Sequence, residues 1–362
     1  MKFFIRLTLG ILLFGLVVVP ARAAFTSLYI FGDALSATAD NSPVPSPARD
    51  YYSNNGTRDS NGRVWVEVLA QRQGLTISTN SSYFDHNSGV LVTDIKNFTI
   101  TQANATNALF IVWVCNSDTY DAANIQDNSG AWTTVIKQSQ TNHLQVITNL
   151  YAKGVRTLIL PNAVDLSEIP AFNINTLTNV IHNGCIAYNV AFSNTIIQAR
   201  AMCPSLKIYT PDFFTLLNDV LTNAASYGLT NALKAGLSID ALSALYKNPP
   251  TNLNGAGTNY IFWDPNDPTA KFHEIIADVA QQIISPVQIS RFTPFNGSNR
   301  LDVVNYPAGL GGFVDGVTNL TLTNWTAQVT ITSTNTTQSF FVTPSGPMWF
   351  YRLRFPYAWT WP

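Results

Sequence analysis

The sequence predicts an α/β fold, a flavodoxin-like three-layer α/β/α sandwich of about five parallel strands, with a small β module behind it. Three observations point there. Short apolar runs at residues 28–31 and 108–114 have the continuous hydrophobicity of strands buried on both faces, and 155–160 reads as a further strand. Longer stretches with apolar residues at helical spacing lie between them, so strands and helices alternate as βαβ crossovers require. From about Pro286 the pattern changes to β-rich runs, such as 329–332 and 339–342, bounded by Gly, Pro and Asn.

Taken in order, residues 1–23 read as a cleaved signal peptide. Lys2 and Arg6 supply a positive start, residues 7–19 an apolar stretch, and Ala21-Arg22-Ala23 a small-residue cleavage site. Export to the periplasm, the cell surface or the medium is therefore expected. No transmembrane anchor is expected after cleavage, because no second long apolar run follows. About 339 residues remain, enough for one large domain over 24–286 and a β-rich module over 287–362.

The first strand, 28–31, ends in a sharp Gly32-Asp33 turn, followed by a polar loop over 37–60. A helix is predicted at 63–70 and a short strand at 75–77. Residues 80–107 read as loop with one short helix. The strand at 108–114 follows, then a helix over 131–153 closed by Gly154, and the strand at 155–160. A long helix at 176–202 leads to a strand at 206–209. Further helices are expected near 212–224 and 239–246, and the amphipathic stretch 270–284 closes the domain.

Composition narrows the function classes. Charged residues make up 11% and the net charge is −1, without the clustered Lys and Arg of a nucleic-acid binder. Cys115, Cys185 and Cys203 show no Cys-x-x-Cys spacing, which removes a zinc or thioredoxin-like reading. Cys185 and Cys203 flank a helical segment whose ends stand roughly 25 Å apart, so free buried thiols are expected. No cofactor motif is present.

The stretch Phe31-Gly32-Asp33-Ala34-Leu35-Ser36 resembles the Gly-Asp-Ser-Leu block of the SGNH/GDSL esterases and lipases, with Ala34 at the nucleophile position. Asn61-Gly62-Arg63-Val64-Trp65 resembles the second block of that family. Residues 108–113 followed by Asp118 resemble the third, and Trp263-Asp264-Pro265-Asn266-Asp267-Pro268-Thr269 the fifth. The resemblance spans about residues 25–285. It implies ester hydrolysis by a strand-end Ser, an oxyanion hole from a Gly-side amide and an Asn side chain, and a late Asp-x-x-His pair.

Carried over by position, Gly62 is the oxyanion glycine and Asn116 or Ser117 the oxyanion donor. Asp264 is the orienting carboxylate, and Asp267 stands where the base histidine belongs. Losses at nucleophile, base and oxyanion donor together predict a catalytically impaired protein. Its retained cleft would bind a lipid ester, an acetylated carbohydrate or a glycan. A weak esterase with a non-standard nucleophile and a surface-structural or adhesion protein are the alternatives.

Ser36 reads as a turn or cap serine, His273 as a structural residue on a helix face, and His86, His143 and His182 as surface or packing residues. Trp65, Trp113 and Trp263 read as packing residues first and cleft residues second. Asp33, Asp264 and Asp267 could form an oxygen-rich site for Ca²⁺. The preferred reading instead gives Asp33 to turn hydrogen bonds and leaves the other two facing water, and no metal site is assigned.

Overall fold

The computed structural model describes residues 25–38, 58–125, 129–173, 176–229, 233–234, 237–244, 258–306, 311–332, 335–344, 346, 348–355 and 360–361. The expected leader at 1–23 lies outside them, as does most of the polar loop read at 37–60. Five parallel strands form the main sheet: β1 (Ser27–Gly32), β2 (Thr76–Asn80), β3 (Leu109–Trp113), β4 (Thr157–Ile159) and β5 (Lys207–Tyr209). Their order is β2-β1-β3-β4-β5, the flavodoxin-like arrangement read from the sequence. Burial follows position in the sheet. All five residues of central β3 are buried, whereas β2, at the edge, alternates exposed and half-buried positions along Thr-Ile-Ser-Thr-Asn.

The helices are α1 (Trp65–Gln73), α2 (Ser88–Asn97), α3 (Gln102–Asn107), α4 (Cys115–Asn124), α5 (Ser129–Ala152) and α6 (Thr178–Met202). They continue with α7 (Phe213–Thr222), α8 (Ala241–Ala244) and α9 (Ala270–Ile284). Helix α1 packs on α9, while α2, α4 and α6 pack on α5, so the sheet is covered by two helix layers. Aromatic side chains fill the interior. Tyr29 stacks on Phe110 at 4.9 Å, and Trp65 meets Trp113 edge-on at 5.6 Å and Phe213 at 5.9 Å.

Residues 80–107 depart from the expectation, holding two helices rather than one. Asn87 starts α2 by accepting the Gly89 and Val90 amides, and Thr101 starts α3 by accepting that of Asn104. Only Leu91 and Ile95 of α2 are fully buried apolar residues, and Ala105 alone in α3, which leaves too little periodicity to read.

After a short hairpin of β6 (Leu233–Lys234) and β7 (Leu237–Ser238), the remaining strands are antiparallel. They are β8 (Gln288–Phe295), β9 (Ser298–Val304), β10 (Gly311–Val317), β11 (Thr326–Thr332), β12 (Thr337–Val342), β13 (Phe350–Arg354) and β14 (Thr360–Trp361). They pair as β11-β10-β13-β14 and β12-β9-β8. The β8–β9 hairpin turns on Asn296 (φ 45°) and Gly297 (φ 76°), the left-handed pair that a tight two-residue connection demands. Val287, Leu301, Val303, Tyr306, Val314 and Leu353 belong to a second core, separate from the one around the main sheet. Gln281 of α9 donates to the Asn305 carbonyl at 3.0 Å and ties the two parts together.

Candidate active site

Open α/β sheets bind ligands beyond the carboxyl ends of their strands, where the strand order reverses. Here that point lies between β1 and β3. A cleft opens there, with Ala34 and Leu35 after β1, Asn116 and Ser117 after β3, Val164 and Leu166 after β4, and Asp267 before α9 among its walls. Four of the positions singled out by sequence, Ala34, Asn116, Ser117 and Asp267, thus line one cleft.

Asp33 enters the turn with its amide donating to the Trp113 carbonyl at 2.9 Å, which seats the end of β1 on β3. Its carboxylate accepts the Leu35 amide at 3.1 Å and the Asn116 side-chain amide at 3.2 Å, while Asn116 Oδ1 accepts the Val164 amide at 3.0 Å. The side chain expected to donate to an oxyanion is therefore already donating to an internal carboxylate. Burial pushes the Asp33 carboxyl up to about 7 despite these hydrogen bonds, with Asp118 adding repulsion.

Asp264 sits beside the cleft in a tight turn, its Oδ1 accepting the Asn266 and Asp267 amides at 2.8 Å each. Burial pushes it up to about 7, with Asp59 and Asp240 contributing. Asp267 is buried, not facing water as read from the sequence, because the chain turns back on itself there, the Asp267 carbonyl accepting the Trp263 amide at 2.8 Å. Burial, then Asp264, Asp59 and Asp33, hold its carboxyl well above the carboxylate range.

Gly62 lies apart from the cleft lining, at the foot of α9, where a Cβ would meet that of Ala270 at 2.7 Å. The adjacent Asn61 accepts the Ala270 amide at 2.7 Å. Close packing of that loop on α9 accounts for a glycine at this position.

The described residues contain hydroxyl, thiol and imidazole groups in contact, but away from the cleft. Ser139 Oγ lies 3.0 Å from His143 Nδ1 and donates to Asp118 at 2.6 Å, while Cys115 Sγ lies 3.8 Å from His143 Nε2. Tyr188 also donates to Asp118, at 2.9 Å. All five side chains are buried and none lines the cleft; burial pushes the Cys115 thiol up and the His143 imidazole down. This is a buried polar network that ties α4, α5 and α6 together.

His273 is buried too, accepting the Trp65 amide at Nδ1 over 3.3 Å, and burial lowers it to about 3. His86 is fully buried, its Nδ1 3.0 Å from the Gly32 carbonyl and its ring stacked on Tyr83 at 4.5 Å. His182 is the partly exposed one, 2.6 Å from Asp165. Ser36 is buried and accepts the Trp65 indole N–H at 3.1 Å. Trp65, Trp113 and Trp263 are all buried, and Cys115, Cys185 and Cys203 are free and buried. Among the described residues no group of three or more His, Cys, Asp or Glu is placed to hold a metal ion.

The family model for GDSL-like lipase/acylhydrolase matches residues 28–280. The chain belongs to that family. A GDSL esterase/lipase of Arabidopsis thaliana is 22% identical over 328 residues, spanning 73% of this chain and 87% of the relative. A second from the same plant is 23% identical over 337 residues, spanning 75% and 86%. Among solved structures, an acetylxylan esterase from Geobacillus stearothermophilus aligns at 12% identity with a TM-score of 0.43, over 72% of this chain and 96% of that one.

In this GDSL-family chain the sequence blocks missed several cleft residues. Phe84 and Asp85 come from the loop before α2, Tyr120 from α4, and Val164, Leu166 and Ile169 from the segment after β4. Only the last group carried a signal, since any segment leaving a parallel strand's carboxyl end borders the crevice.

Proposed function

We propose that this protein is an exported member of the GDSL family that has lost ester hydrolysis, or retains a trace of it, and uses its cleft for binding. One observation supports the reading above others. The cleft has Ala34 where the nucleophile would stand, Asp267 where the base would stand, and no histidine among its described lining residues. An alanine has no atom to attack with, and removing the Ser or the His of such a unit costs about six orders of magnitude in turnover.

The test is restoration. Ala34→Ser with Asp267→His places a hydroxyl at the strand end and an imidazole beside Asp264. The double variant is expected to gain hydrolysis of short-chain p-nitrophenyl esters over an inactive parent. Turnover by the parent protein that disappears on Ser117→Ala would overturn the reading, because Ser117 is a hydroxyl of the cleft wall.

A further inference from the structure

The cleft has a polarity that catalysis does not explain. Asp33, Asp85 and Asp267 line it with the rings of Phe84 and Tyr120, and no Lys, Arg or His is among its described lining residues. Asp33 and Asp267 are 3% and 6% exposed, and the Asp264 carboxylate accepts the Asp267 amide at 2.8 Å. Carboxyl groups gathered without a counter-charge are costly where water is scarce, and a cation arriving among them offsets that cost.

A second, smaller cavity adjoins the cleft and shares Leu35, Val164, Ile169 and Asn266 with it. Beyond this common wall it is closed by apolar side chains of α7 and α9, chiefly Phe213, Leu216, Leu217, Phe272 and Ile276. An acidic, aromatic mouth in front of an apolar chamber fits a ligand of matching asymmetry. Ammonium heads are attracted by carboxylates and by aromatic faces, and alkyl chains leave water for a pocket of this composition.

We propose that the cleft binds a cationic amphiphile, with an amine or quaternary ammonium head among Asp33, Asp85, Tyr120 and Asp267 and an apolar tail in the chamber between α7 and α9. The proposal rests on the binding role given above and adds the class of ligand. Fatty acids are poor ligands on this account, since a carboxylate head would enter a site already holding three carboxyl groups. Neutral alcohols gain only from the tail.

Calorimetric titration of the full chain with decyltrimethylammonium, 1-decanol and decanoate, each below its aggregation limit, tests this. The ammonium is expected to bind at least tenfold more tightly than the alcohol, and decanoate not at all. Asp85→Asn, at an exposed position, should weaken the ammonium several-fold and leave the alcohol unchanged. Leu216→Trp, which fills the chamber, should weaken both decyl ligands. Retained binding of tetramethylammonium by that variant shows that the head site is still folded. Equal binding of the alcohol and the ammonium would overturn the charge assignment while leaving a binding cleft in place. No binding of any of the three would overturn both.

Discussion

Asp33 concentrates the behaviour of the site in one carboxyl group. It ionises at about 7 in the folded chain against about 4 when unfolded, so the native state holds the proton more tightly. The resulting stabilisation is complete below about pH 4 and is lost as the pH rises through about 7. Asp33→Asn cannot ionise, and asparagine still caps the turn that starts at Ala34. Its melting temperature relative to the parent should therefore rise between about pH 5 and about pH 8, by the equivalent of at most about 4 kcal/mol. A difference that stays flat across that range would mean that the carboxyl is not held protonated by burial. The same residue shows what sequence can convey. Ala34 and Asp267 stand out because a local motif lacks its functional atoms. That Asp33 occupies the Asn116 amide is a contact across 83 positions, and no local pattern reports it.

At the scale of elements, the helix pair α5 and α6 meets at Gly184, where an added Cβ would overlap the Trp132 indole ring. Alanine favours a helix over glycine by about 1 kcal/mol, but overpacking against a buried ring costs about 1–3 kcal/mol. Gly184→Ala should therefore lower the urea midpoint, with a net loss of up to about 2 kcal/mol, and a gain would show that Trp132 can move aside. Elements with strong patterns were legible in the sequence: the apolar run that became β3, and the amphipathic stretch 270–284 that became α9 with the same ends. Helices α2 and α3 were not, since their stability lies in side-chain caps and a few buried positions. The cleft residues Phe84, Asp85 and Tyr120 were equally silent, because their role comes from where the loops meet.

At the scale of the molecule, the core around the main sheet and the second core among the later strands each depend on their own contacts. The second is crossed by a buried Asp315, which accepts from Arg354 at 2.7 and 3.1 Å and from Arg352 at 3.4 Å. Their guanidinium groups lie over the Phe313 and Trp325 rings, both at 4.4 Å. Since both arginines are partly open to water, Asp315→Ala should cost about 2 kcal/mol, less than the ~3–5 kcal/mol of a fully enclosed pair. The loss should appear as faster amide exchange over 311–354 with the main sheet unchanged, whereas a uniform change would make the two cores one cooperative unit. The strand order of the main sheet has a consequence of another kind. Because chains leave β1 and β3 in opposite directions, a hollow between them is a by-product of topology and owes nothing to whichever side chains are placed around it. Such a hollow outlives its chemistry. A lineage that discards catalysis keeps the receptacle, and a handful of wall substitutions is then enough to give it a different tenant.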